Sequence, residues 1–195
     1  MRKRRFLAAA ALGVAAPWSA RAEGAAAARS GPGLLTVAGA IPRANRGPLD
    51  QALDQLMVKH GVKFEKAWQF DAAMLARLPA VTIAPTLEYD AKPHRLSGPL
   101  LTTVAGAAGI AAHAPLVLTL RAIDGYTVAV SVADANRYRM IVATTLDGAP
   151  LSLGGLGPLW AVYDADRLAD FKDQPLKERF AMCPWGMYFI DVKPL

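Results

Sequence analysis

The chain has 195 residues, 22 Lys+Arg against 16 Asp+Glu for a formal net charge of +6, and 53% hydrophobic side chains. That length suits a single domain with enough apolar side chains for a substantial core. The lone cysteine, Cys183, excludes an intrachain disulfide and reads either as a small buried hydrophobe beside Pro184 and Trp185 or as a reactive thiol.

The basic surplus sits at the N-terminus. Arg2-Lys3-Arg4-Arg5 precede an apolar run at 6–16, and Ala20-Arg21-Ala22 place small residues where signal peptidase cuts. The 11 residues of that run are too few to span a bilayer, which takes about 20. An export signal is therefore expected over 1–22, read as a twin-arginine signal in an imperfect register or as a Sec signal. A flexible Ala/Gly/Ser-rich lead-in is expected at 23–33 and one periplasmic domain at 34–195. Removing Arg2, Lys3, Arg4, Arg5 and Arg21 leaves 17 basic against 16 acidic side chains. So even a balance excludes an electrostatic footprint for nucleic acid or anionic lipid.

Within the domain, residues 34–41 read as a strand stopped by Pro42. Leu49, Ala52, Leu53, Leu56, Met57 and His60 follow helical spacing between Gly47-Pro48 and Gly61, which predicts an amphipathic helix with a solvated His60 at its end. Residues 62–70 alternate as a strand, Asp71 caps a short helix over 72–78, and 81–84 read as a buried strand. Gly98-Pro99 predicts a helix from Pro99 to about Ala108. Strands at 116–122 and 126–132 flank Asp124-Gly125, a hairpin signal. A helical turn at 133–137, a strand at 138–145, an Asp147-Gly148 turn and a strand at 159–163 follow. Asp164 is placed to cap a short helix reaching Phe171, and 185–192 close the domain as a strand. Many strands with short interspersed helices and no repeated βαβ period predict an α+β fold with mixed sheets.

Familiar catalytic signatures are absent from the sequence: there is no Gly-x-Ser-x-Gly elbow and no Walker A loop. His60, His94 and His113 have no metal-site spacing.

One ordered series of motifs carries more. His94-Arg95-Leu96-Ser97-Gly98-Pro99-Leu100-Leu101 is followed by Asp124-Gly125-Tyr126, by Asp147-Gly148-Ala149-Pro150-Leu151, and by Gly157-Pro158-Leu159-Trp160. Upstream stand Leu35-Thr36-Val37-Ala38-Gly39-Ala40-Ile41, Asn45, and Phe70-Asp71 with Met74-Leu75 and Leu78-Pro79; at the far end Trp185, Met187, Ile190 and Val192 complete it. Over about 160 residues this order resembles the molybdopterin-binding domain of the sulfite oxidase type. The resemblance implies that α+β fold and a pterin pocket.

Molybdenum enzymes of that type place a cysteine thiolate on the metal after the strand matching 81–84. Here the segment reads Ile83-Ala84-Pro85-Thr86-Leu87, and Thr86 cannot replace a soft anionic sulfur. The basic run that small members carry before Gly-Pro-Leu-Trp is replaced by Leu153-Gly154-Gly155-Leu156. Backbone amides around Gly157 are then either an anion nest or a plain turn. The resemblance to small exported members without the cysteine implies a non-catalytic periplasmic binder of a free, uncharged pterin that regulates a membrane signalling partner. The alternatives are a molybdopterin-dependent oxidoreductase and an interaction module with an empty pocket. A pterin wants aromatic walls and fixed donors and acceptors. Tyr126, Trp160 and Tyr163 are the candidate walls, and Asp124 the carboxylate for a 2-amino-pyrimidinone edge. Thr86, His94, Arg95 and Gly157 complete the candidate ligand set. The residues between Asn45 and Phe70 form an insertion relative to those members, expected to pack onto the domain.

Overall fold

In a computed structural model, residues 31–195 are described. The expected export signal and residues 23–30 of the lead-in lie outside the described residues.

The fold is α+β with mixed sheets, as the patterning predicts. Its first strand, β1 (Leu35–Gly39), is buried along four of its five residues. It lies between β2 (Ala67–Phe70) and β11 (Met187–Pro194), antiparallel to the first and parallel to the second. β5 (Leu116–Ala122) pairs with β11, and β6 (Thr127–Ser131) closes the far edge, giving the order β2-β1-β11-β5-β6. A four-stranded sheet holds β3 (Ala80–Ile83), β4 (Leu96–Pro99), β8 (Thr145–Leu146) and β9 (Ala149–Pro150) in that order. β7 (Ile141–Ala143) pairs with β10 (Trp160–Val162). Helices α3 (Leu101–Ala107) and α4 (Val132–Arg137) contribute Leu101, Val104 and Ala135 to the core.

One face of the large sheet meets this main core, and the insertion covers the other. Met57, Val62 and Phe64 pack there against Ala38, Tyr188 and Phe189. Phe64 stacks on Phe189 with centroids 6.2 Å apart, and the Arg46 guanidinium lies over the Phe64 ring. The insertion therefore packs onto the domain as its apolar positions suggest.

Several local expectations are corrected. The helix of the insertion is only α1 (Gln55–Lys59). Asp50 Oδ1 accepts the amides of Ala52 and Leu53, a local turn that competes with the first helical turns and leaves Leu53 82% exposed. His60 is not merely solvated: its Nδ1 lies 2.9 Å from the Tyr188 hydroxyl. Only 67–70 of the expected 62–70 strand enter a sheet. β3 is an edge strand with alternating exposure rather than a buried one. Pro99 does not open a helix; it ends β4, opposite Ala80, where a missing N–H is tolerated. Gly98 is needed there, because a Cβ would stand 1.9 Å from the Val142 carbonyl oxygen. Tyr138 caps α4, so the expected strand is reduced to 141–143, with Thr145 already in β8. Asp164 precedes a 3-10 turn, Ala165–Arg167, without capping it.

Other expectations hold. Asp71 caps α2 (Ala72–Ala76) by accepting the Met74 amide at 2.7 Å. Asp124 Oδ1 accepts the Tyr126 amide at the β5–β6 turn, with Gly125 at φ 92°. Asp147 and Gly148 turn β8 into β9 with φ of 50° and 84°. Cys183 is buried.

Candidate functional site

The β5–β6 turn opens onto a cleft of about 260 Å³. Three aromatic residues border it from three chain segments: Tyr126 of the hairpin, Tyr89 of the loop after Thr86, and Trp185 just before β11. They are 49%, 55% and 37% exposed, so their rings are open to a ligand while anchored by their neighbours. Asp124 and Glu88 add two carboxylates, Lys177 one ammonium, and Phe180 and Cys183 an apolar floor. Burial, reinforced by the Glu88 charge, pushes the Tyr89 phenol up to about 12. It stays a neutral hydroxyl that can donate or accept.

The sequence-derived set divides on this map. Asp124 and Tyr126 share the cleft. Trp160 and Tyr163, expected as walls, are corrected to core residues with 1% and 0% exposure. Their apolar surroundings in β10 and the following residue take the rings inward. Tyr163 stacks on Phe171 at 4.5 Å, and burial raises its hydroxyl far above the ordinary phenol value.

Their polar atoms nonetheless shape the cleft. The Tyr163 hydroxyl donates to the Arg179 carbonyl at 2.8 Å, the Tyr126 hydroxyl to that of Ala181 at 2.5 Å, and the Trp160 indole N–H to that of Cys183 at 2.9 Å. Alternate carbonyls of one segment are thus held by three aromatic side chains. That segment carries Phe180, Cys183 and Trp185 to the cleft, so Trp160 and Tyr163 position a wall without being one.

Thr86 and His94 act in the same indirect way. The Thr86 amide donates to Asp166 at 2.7 Å, and Asp166 also receives the Arg179 guanidinium at 2.9 Å. This carboxylate ties the loop carrying Glu88 and Tyr89 to the segment opposite. At the other end of the loop, His94 is held between Asp147 (2.7 Å) and Asp90 (3.0 Å). Those two hydrogen bonds raise its pKa above the ordinary imidazole value, Asp147 contributing most. The Gly157 amide is consumed by the Ser152 carbonyl at 3.1 Å, and Leu151 fills the space a Cβ would need. The plain turn is therefore the better description than an anion nest. The Arg95 side chain borders a different cleft, on β3.

Tyr89, Glu88, Lys177 and Trp185 are the lining residues that motif reading missed. Tyr89 and Trp185 did offer a signal, as large aromatics beside polar and proline residues outside any apolar period. Trp185 stands in the motif series and at the start of the closing strand, and neither marks it as a pocket wall.

The donor set does not fit molybdopterin. The cleft's one thiol, Cys183, is pushed up to about 12 by burial, the reverse of a metal-ready thiolate. Two carboxylates against a single ammonium oppose a phosphorylated tail. No known family model matches the chain, and no curated protein matches it.

Proposed function

We propose that the protein is an exported, non-catalytic binder of a small reduced pterin without a phosphate, held in the cleft between Tyr89, Tyr126 and Trp185. The observation that carries the reading is the meeting of three partly open aromatic rings and two carboxylates in one cleft of about 260 Å³. A flat heteroaromatic amide suits such a place. Its faces stack on rings, and its 2-amino-pyrimidinone edge offers two N–H donors to one carboxylate. Asp124 supplies that carboxylate from a rigid turn, with Glu88 on the opposite side.

One charge-assisted bidentate contact plus one stacked ring contributes about 3–4 kcal/mol, enough together with burial for micromolar affinity. The motif series supports the same ligand class, as well as regulation of a membrane signalling partner. Titration calorimetry with tetrahydropterin and dihydropterin tests the ligand. Micromolar binding that weakens in Asp124→Ala and Trp185→Ala supports the assignment. Absence of binding to any pterin refutes it. The regulatory role is read separately, by whether a bound pterin changes the protein's affinity for the exported portion of a membrane signalling protein.

A further inference from the structure

We propose that a second cleft, between β3 and the turn at 164–168, binds a small organic anion, either a phosphate ester or a carboxylate. The cleft is larger than the first, at about 460 Å³, and lies on different residues. Arg95, Arg139 and Arg167 border it, with Asp164 the one acidic residue among its lining. Val81, Ile83 and Leu168 give it an apolar side.

Of the lining charges only Arg167 and Asp164 pair, with Nε 3.4 Å from Oδ2. The side chains of Arg95 and Arg139 form no hydrogen bond or ion pair among the described residues; Arg95 feels the charge of Asp147 only at longer range. Two guanidiniums with free forks beside an apolar wall are a receptor for a carboxylate or phosphate, whose paired oxygens match the fork. Asp164 is the single carboxylate against three guanidiniums, so the lining is net positive and favours an anion.

Arg139 supplies an independent observation. It follows Tyr138, the C-cap of α4, with φ at +49°, the position and conformation that glycine ordinarily fills. An arginine accepts strain there that glycine would not. The guanidinium in the cleft is what this position gains.

The inference is independent of the pterin reading. It is tested by calorimetry with glycerol 3-phosphate and with malate, using inorganic phosphate as the probe that lacks the organic body. The expected result is binding of at least one of the two organic probes, tighter than inorganic phosphate and weakened by salt. Arg139→Gly and Arg95→Ala should each lower that affinity by about tenfold or more. Arg139→Gly should also melt no lower than the parent, because it removes the positive-φ strain, so lost binding cannot be ascribed to unfolding. Which probe prevails decides between phosphate ester and carboxylate. The proposal is overturned if neither organic probe binds at millimolar concentration, or if binding is unchanged in both arginine variants. It is equally overturned if binding is lost in Asp124→Ala, which would place the anion in the first cleft.

Discussion

Replacing Trp160 and Trp185 by alanine, one at a time, separates the frame of the first cleft from its wall. Trp160 is 1% exposed, and its indole donates to the Cys183 carbonyl. Truncating a buried aromatic to alanine costs about 3–5 kcal/mol, and the orphaned carbonyl adds to that. A domain of this size loses about 2–4 °C of melting temperature per kcal/mol, so Trp160→Ala should melt roughly 6–20 °C lower. Trp185 is 37% exposed, and its truncation should cost about 1 kcal/mol or less. Pterin affinity should fall about tenfold with it, as a stacking face is lost. Trp160→Phe keeps most of the packing but not the donor. It should lose about 1–2 kcal/mol and weaken binding through the released 179–185 segment. The assay is a thermal melt paired with pterin titration on each variant. If Trp185→Ala melts as low as Trp160→Ala, or if Trp160→Ala melts like the parent, the division between frame and wall is wrong.

The loop bearing Tyr89 should respond to pH through His94. Its imidazole pKa is raised by Asp147 and Asp90, so its stabilising contribution is complete below the unfolded value of about 6.5 and disappears as pH rises through the folded one. Asp147 and Asp90 are lowered, mainly by the same hydrogen bonds, so their contribution is present above about 3.9 and disappears as pH falls through their folded values. Amide protection in 86–94, taken relative to the intrinsic exchange rate at each pH, should therefore be greatest between those limits, and His94→Gln should flatten the profile; an equally pH-dependent protection in that variant would refute the role of His94. Gly98→Ala should destabilise by about 1–3 kcal/mol or more, since its Cβ would meet the Val142 carbonyl at 1.9 Å, and urea unfolding measures it. Asp71→Ala should cost about 1–2 kcal/mol in the same assay, because Asp71 Oδ1 caps α2 and Oδ2 accepts the Gly31 amide.

Where the sequence could be read, the determinant was local. Asp124-Gly125 makes its own turn through one side-chain hydrogen bond, so both the hairpin and the place of Asp124 and Tyr126 were legible. Asp71 and Asp147-Gly148 are legible for the same reason. The apolar spacing at 49–60 was misleading because Asp50 and Asp54 organise a turn that periodicity does not register. β4 was illegible because Gly98 answers a tertiary demand, the close approach of Val142, and not a helical one.

The aromatics of the candidate site fail to read correctly for a more general reason. A sequence shows that Trp160 and Tyr163 carry a ring and a polar atom, but not which of the two a ligand would meet. In the fold both rings turn inward and both polar atoms hold carbonyls of the 179–185 segment. Tyr126 does both at once: it borders the cleft while its hydroxyl holds the Ala181 carbonyl. Thr86 and His94 repeat the pattern on the opposite loop, one through its amide and one through its ring nitrogens. A motif can therefore mark the location of a pocket through the residues that build its frame. The groups facing the space are not independent of that frame: the Tyr89 hydroxyl hydrogen-bonds with the Glu88 and Trp185 side chains, so the wall itself joins the 86–94 loop to the 179–185 segment.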